Sequence, residues 1–430
     1  MDPESAARLI FGAGMVSHFL IAGALPGTAL VLAVVSFGKR PVFRMVHALI
    51  LHLFVIQFVL SSVSGLTLET GLSQHWPGAE KALLLLVHHP IGRSAGIGFI
   101  IIAVLCAMLL GRFSDRTVHR TLISVIVFMA TFLLSGWSIM VNSWMQHPVG
   151  VDLIIESGEV TEASLNSLSE IIMNPFAVTR FVHSFQAMLL SGTLWSLVAL
   201  SLIYTGRDSV PFFRSSVLIA LGLLLLQPFT GHLQFLNVAN EQPNKAAAIE
   251  GYYEGSTFQI YPIGVTDPTI RSTQGLPVPQ KMSDMLIRTT DEGIRPLPES
   301  RISEWPPVKR VFYSFRIMVL AWVLMVLGVL VLLSERINPR GRVWLTLGLF
   351  VLGVIATCAG WIVSEAGRQP WIIHDLVKVA DAVSPILSNT DLALGLLSNV
   401  LIHLALAYLW VWLQVSIIRS HAPIFLNSYE

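Results

Sequence analysis

Charge is what this chain has least of. Asp, Glu, Lys and Arg make up 12% of its 430 residues, while hydrophobic side chains make up 54%. Soluble domains carry roughly 25% charged residues. With a mean hydropathy of +0.69, the deficit excludes a cytosolic enzyme, a nucleic-acid binder and a disordered chain. Nor is there a basic field for nucleic acid, since 27 Lys and Arg stand against 26 Asp and Glu. Cysteine is almost missing. Cys106 and Cys358 lie in apolar runs and form no CxxC or CxxCH, which removes zinc fingers, iron–sulfur clusters and covalently attached c-type haem. Internal repeats and low-complexity tracts are lacking too. The first apolar run follows an acidic start (Asp2, Glu4) and is too long for a signal peptide. An all-α polytopic membrane protein, with the lipid bilayer as its solvent, is the class that remains.

Lipid cannot satisfy backbone polar groups, so long apolar runs read as helices of about 20 residues. Nine qualify: 9–37, 46–68, 90–111, 121–144, 176–205, 215–236, 311–333, 343–366 and 391–418. The apolar stretch 82–89 is too short to span and leads into the third. The turns 38–45, 112–120, 206–214 and 335–342 are short and basic, whereas 146–175 carries five acidic residues and no Lys or Arg. The positive-inside rule then places the N-terminus outside and the C-terminus in the cytoplasm. The chain divides into helices one to six (1–236), a long outer loop (237–310) and helices seven to nine (311–430). That loop is rich in Pro and Gly and mixed in charge, with eight basic and nine acidic residues. Its length between packed helices points to function or disorder, and the helix-forming stretch around Lys245 and Glu250 favours function.

Ionisable residues inside spans are costly and are therefore functional candidates. His18 lies on the first helix, Arg180 and His183 share a face of the fifth at i, i+3, and Arg316 and Met318 lie on the seventh. Trp361, Glu365 and Arg368 share a face at the end of the eighth. At about 1.5 Å rise per residue, His183 and Met318 sit at equal depth below the outer surface, and His18 and Glu365 near them. An imidazole and a thioether at one depth on two helices could cap both faces of a haem iron. Equally, a lone intramembrane histidine is more often a hydrogen-bonded packing residue, a methionine at helical spacing more often core filler, and Arg180 and Arg368 could snorkel.

Five strings narrow the choice. NSWMQHP (142–148), NPFAVTRFVHS (174–184), QPNKAAAIE (242–250), FRIM (315–318) and GWIVSEAGRQPW (360–371), with the weaker GLTLE (65–69), resemble subunit I of the cytochrome bd quinol oxidases. Their order, the nine-helix layout and the long outer loop between helices six and seven agree from residue 8 to about 418. The resemblance implies a quinol:oxygen oxidoreductase of the bacterial cytoplasmic (inner) membrane. It implies that His183 and Met318 ligate a low-spin haem b. It also implies that His18 and Glu365 serve the irons of a high-spin haem b and of a haem d or third b-type haem. Gln242, Lys245 and Glu250 would bind quinol, and Arg316, Trp361 and Arg368 would support haem propionates or electron transfer. The implied partners are quinol, oxygen, a second membrane subunit (subunit II) and a small single-helix subunit. Quinol oxidised outside and protons for oxygen drawn from the cytoplasm would make turnover electrogenic without a pump.

One departure stands against this. The family carries two glutamates on the third helix, near the high-spin haems; anchored on Pro90, those positions hold Ser94 and Ile102, and the stretch 90–111 has Arg93 but no carboxylate. His88 and His89 at its outer end read as interfacial residues. The alternatives are therefore a diverged quinol-oxidising electron carrier with a different acceptor, and a non-redox structural subunit or transporter.

Overall fold

The computed structural model describes the chain apart from residues 1–2, 80–81, 83–89, 112–114, 157–158, 204–209, 288–293, 335–336, 384–388 and 428–430. His88, His89 and most of the stretch 82–89 lie outside the described residues. The molecule is a helical bundle built from α1 (Pro3–Ile21), α2 (Leu25–Ser36), α3 (Pro41–His75), α4 (Pro90–Leu110), α5 (Thr117–Gln146), the short α6 (Leu168–Met173), α7 (Pro175–Ile203) and α8 (Val210–Glu241), followed by α9 (Pro243–Glu250), α10 (Gln280–Ile287), α11 (Val308–Leu332), α12 (Pro339–Gly367), the single turn α13 (Val379–Ala382) and α14 (Asn389–Asn427). Eight candidate spans among the described residues are long and apolar enough to cross a membrane: Ala7–Ser36, Pro41–Gly71, Thr117–Gln146, Pro175–Ile203, Phe212–Glu241, Val308–Leu332, Pro339–Gly367 and Ala393–His421. The first joins α1 and α2 through a 3-10 turn at Ala22–Ala24. Within α4 the apolar stretch Ile97–Leu110 is described, so the expected third span is present as a helix.

Lipid tails are as apolar as leucine, so helices in a bilayer associate through close packing rather than through hydrophobic burial. Here α2 and α7 cross at Gly27 and Gly192, where a Cβ on either would meet the other backbone at 2.2 and 2.1 Å. Deeper in the bundle, Trp195 stacks on Trp410 at 4.6 Å and donates its indole N–H to Gln414 at 3.0 Å. Gln414 in turn donates to the Leu53 carbonyl, so one polar chain ties α7, α14 and α3.

A second tie sets the geometry near His183. Pro228 stands inside α8 and has no N–H to give the carbonyl four residues back, that of Leu224. That oxygen accepts the Trp322 indole N–H from α11 at 2.8 Å. The carbonyl that the proline leaves free is thereby satisfied by the helix that carries Met318. Trp322→Phe is expected to cost about 1–3 kcal/mol, the penalty for a buried carbonyl left without a donor, read as a lower thermal midpoint in detergent.

The segments 147–174, 242–307 and 368–378 gather at one end of the bundle, the loop end. His374 donates its backbone N–H to the Met145 carbonyl, and the Gln242 side chain donates to the Gln146 carbonyl. Where the acidic connection runs, the chain forms an antiparallel hairpin, β1 (Val151–Glu156) with β2 (Glu159–Leu165). The long loop is folded as well: α9, a hairpin of β3 (Ile263–Asp267) and β4 (Ser272–Leu276), and α10. Gly251 ends α9 with φ +64°, the left-handed conformation that glycine adopts without penalty. A last hairpin, β5 (Trp371–Ile373) with β6 (Val377–Lys378), follows α12.

Candidate haem and quinol site

Four helices meet at the loop end around one carboxylate. Glu365 on α12 accepts from Arg368 Nη2 at 2.5 Å, Gln146 Nε2 at 3.0 Å and Asn142 Nδ2 at 3.2 Å. Arg180 on α7 lies 3.6 Å from it and donates to Asn142 and to Ser364 Oγ at 2.7 Å. Lys245 on α9 joins through Gln146, donating to its Oε1 at 2.5 Å. Three basic side chains therefore share a single anion. Arg368, only 5% exposed, does not snorkel, and its Nε and Nη1 are buried without hydrogen-bond partners. Burial first, then the neighbouring Arg180 and Arg368, hold the Lys245 ammonium well below the usual lysine range, and Glu365 opposes them.

The i, i+3 pair on α7 separates. Arg180 turns to α5 and α12, whereas His183 turns to α8, because a three-residue step leaves about 60° between the side chains. His183 Nδ1 lies 3.2 Å from Thr230 Oγ1. That hydroxyl also reaches Gln186 Oε1 and the Gln227 carbonyl, and the Gln227 amide nitrogen lies 3.3 Å from Nδ1 and 3.5 Å from Nε2, so polar groups of α7 and α8 surround the ring. His18 is simpler. Its Nδ1 is 2.8 Å from Ser64 Oγ, whose proton goes to the Ser61 carbonyl. Nε2 then carries the lone pair, and among the described residues nothing bonds to it. An imidazole with Nδ1–H engaged and Nε2 free is in the state that ligates iron.

Glycines give these ligand atoms their room. A Cβ at Gly231 would lie 3.0 Å from the His183 ring, and one at Gly360 would lie 3.0 Å from the Met318 sulfur. Trp361 packs on Phe19 at 5.8 Å and Phe11 at 6.3 Å, which draws the helix of Glu365 onto the helix of His18. The free Nε2 of His18, the thioether in its glycine cradle and the under-bonded guanidinium of Arg368 have the chemistry that suits haem irons and anionic propionates.

Arg316 is spent elsewhere. It donates to the carbonyls of Tyr261 and Ile249 at 2.8 and 2.7 Å, lies 3.4 Å from Glu250 and stacks on Phe312. Glu250 is 4% exposed; burial lifts its carboxyl above the usual range, against the pull of Arg316. Lys245 and Glu250 are thus on opposite sides of α9. Lys245 and Gln242, with Arg368, Trp371, His374 and Asp375, line a cleft of about 380 Å³ at the loop end, and Glu250 does not.

Two histidines escape sequence reasoning. His403 on α14, 3% exposed, donates Nδ1–H to the Asn399 carbonyl at 2.8 Å and sets Nε2 3.2 Å from Thr67 Oγ1. It also lies 3.2 Å from where a Cβ on Gly14 would sit, one turn before His18. Its signal was a lone histidine in the middle of the last apolar run. His374 gave none, being one residue in a short loop.

A profile of the family described as cytochrome bd terminal oxidase subunit I matches residues 6–422. A Bacillus subtilis protein named cytochrome bd ubiquinol oxidase subunit 1 is 26% identical, over 97% of this chain and 93% of its own. Escherichia coli cytochrome bd-II ubiquinol oxidase subunit 1 is 23% identical, over 92% of each. Among solved structures, bd oxidase from Geobacillus thermodenitrificans has the same fold, with a TM-score of 0.82 at 20% identity over 97% of this chain and 99% of that one. With the family profile covering nearly its whole length, the chain belongs to the cytochrome bd terminal oxidase subunit I family.

Proposed function

We propose that this chain is the haem-carrying subunit of a bacterial membrane quinol oxidase, spanning the membrane nine times with its loop end outside. The observation that carries the reading is a continuous polar path. Lys245 lines the loop-end cleft, bonds Gln146, and Gln146 bonds the carboxylate of Glu365. Cleft and carboxylate thus belong to one hydrogen-bonded unit.

Within that reading, His183 and Met318 hold a low-spin haem b, and His18 and Glu365 serve a high-spin haem b and a haem d or third b-type haem. Bound there, the haems supply one-electron chemistry and oxygen reduction to water. The protein's own residues do the rest. Lys245 and Gln242 orient a quinol oxygen in the cleft, Arg368 and Arg180 neutralise anionic groups beneath it, Ser64 fixes the tautomer of His18 and Thr230 positions the ring of His183. Glu250, locked to Arg316, holds α9 against α11 and so positions Lys245. Release of quinol protons at the loop end, with oxygen's protons taken from the opposite side through a second membrane subunit, makes turnover electrogenic without pumping.

One observation favours the second reading, an electron carrier with another acceptor. Ile102, which stands where relatives carry a third-helix glutamate, is fully buried in the apolar core, and an apolar helix relays no protons.

Quinol-driven haem reduction followed by stopped flow, with oxygen uptake on the same sample, tests both. Oxygen uptake supports the oxidase, and haem reduction without it supports the carrier. Failure of quinol to reduce a fully haem-loaded complex sinks both. Lys245→Ala is expected to slow reduction at least about tenfold, the loss of roughly 1.4 kcal/mol of binding or orientation, at unchanged haem content.

A further inference from the structure

Quinol oxidation requires a group that takes the hydroxyl proton within reach of the bound oxygen. Of the three loop residues that the resemblance nominates, Gln242 is an amide with no basic group, Lys245 is a donor, and Glu250 is buried away from the cleft against Arg316. The cleft has another candidate. His374 sits at the turn between β5 and β6, on the wall shared with Lys245 and Arg368. Its side chain is 17% exposed, and Nε2 lies 3.6 Å from the carboxylate of Asp375, itself 73% exposed. Asp375 occupies the turn with φ +57°, and the Leu376 N–H closes the turn on the Ile373 carbonyl at 3.0 Å. The His374 backbone N–H is pinned to Met145 at the end of α5. The imidazole is thus placed by two fixed elements, with an exposed carboxylate beside it on the solvent side.

We propose that His374 is the catalytic base of the cleft and that Asp375 passes its proton to the surrounding water. This rests on the quinol reading above and names the proton acceptor that reading leaves unassigned. The quinol O–H bond facing the ring breaks and an N–H bond forms on the imidazole as one electron leaves for the haem this subunit would carry; the second O–H then gives its proton to cleft water as the second electron follows. The imidazolium then gives its proton to Asp375, and from there it goes to solvent.

The surroundings keep the ring free of a proton. Lys245 of α9 and Arg368 at the end of α12 face the ring as cations, Asp375 faces it as an anion, and the Glu241 backbone at the end of α8 lies beside it. Burial, opposed by Asp375 and reinforced by Lys245 and Arg368, lowers the imidazole to about 4. Above that pH the ring is neutral and able to accept. As pH falls through it, the ring is already protonated and proton transfer fails, so kcat/KM has an acid limb.

The test uses the purified, haem-loaded complex. His374→Ala is expected to lower kcat for quinol oxidation about 100-fold, at the low end for a positioned general base, with KM within about threefold. The haem spectrum and dithionite-reducible haem content should be unchanged. Added imidazole should restore part of the rate, in proportion to its unprotonated fraction and therefore more at pH 8 than at pH 6. Asp375→Asn should cost about three- to tenfold. A wild-type rate in His374→Ala, or a loss that imidazole does not rescue, overturns the assignment. If wild type itself oxidises no quinol while its haems reduce normally with dithionite, the quinol reading fails instead.

Discussion

Replacing Met318 with leucine is expected to remove the low-spin b-type signal while leaving the helix packed. The substitution tests the ligand role because leucine fills nearly the same volume without a lone pair. Half-buried Met318 packs its sulfur against α12 at Gly360, where leucine is accommodated, and the Trp322 bond four residues further along α11 is untouched. Were Met318 only core filler, Met318→Leu would be spectroscopically silent and Met318→Ala mildly destabilising. As a ligand it gives the opposite pattern: both variants lose the sharp reduced band to the same degree. His183 would then be the one protein residue left to hold that iron. Axial ligands set haem potentials over about 0.8 V, and thioether ligation raises them. The midpoint should therefore fall, on the order of 0.1 V, and electron entry from quinol should slow with it. Redox titration of the reduced-minus-oxidised spectrum decides the matter, and an unchanged spectrum in Met318→Leu would falsify the His183/Met318 pairing.

Eight of the nine apolar runs match candidate spans among the described residues, because each helix must close its own hydrogen bonds in lipid, which leaves a hydropathy signal that neighbours cannot mask. Their ends were legible to within a few residues; the run 121–144 lies within Thr117–Gln146 and 343–366 within Pro339–Gly367. The hairpin 151–165 was not, since its alternation competes with acidic residues that the loop reading already explained. Candidate residues could be nominated one by one, but their pairings could not. Nothing in the spacing of Arg180 and His183 says that 60° on a helix face sends one to Glu365 and the other to Thr230. Lys245 and Glu250 share an eight-residue helix, yet one meets the cluster and the other Arg316. Such partners come from distant segments, and a local pattern carries no record of them. His403 shows the same limit: its relation to His18 is made entirely by the packing of α14 on α1 and α3.

Glu365→Gln should be the most damaging single change to the apoprotein. The substitution keeps the side chain's shape and most of its hydrogen-bonding capacity, so its effect isolates charge. In the native cluster Arg180, Arg368 and Lys245 surround one carboxylate, at 3.6 Å, 2.5 Å and through Gln146. Removing the anion leaves buried guanidiniums that cannot shed their protons, and breaking a buried pair in this way costs about 3–5 kcal/mol. Lys245 can relieve part of that by releasing its proton, because burial already favours the neutral amine. A second substitution therefore separates the causes. If charge imbalance dominates, Glu365→Gln with Arg368→Gln should recover about 1–3 kcal/mol relative to additivity, the range for residues in one network. If Glu365 matters only as an iron ligand, the double variant should recover nothing, and the single variant should lose haem without a lower thermal midpoint once haem-free samples are compared. Thermal denaturation and haem stoichiometry measured on the same four proteins distinguish the two. The structure supports a charge role for Glu365, because the carboxylate accepts four hydrogen bonds, from Arg368, Gln146, Asn142 and Ser364.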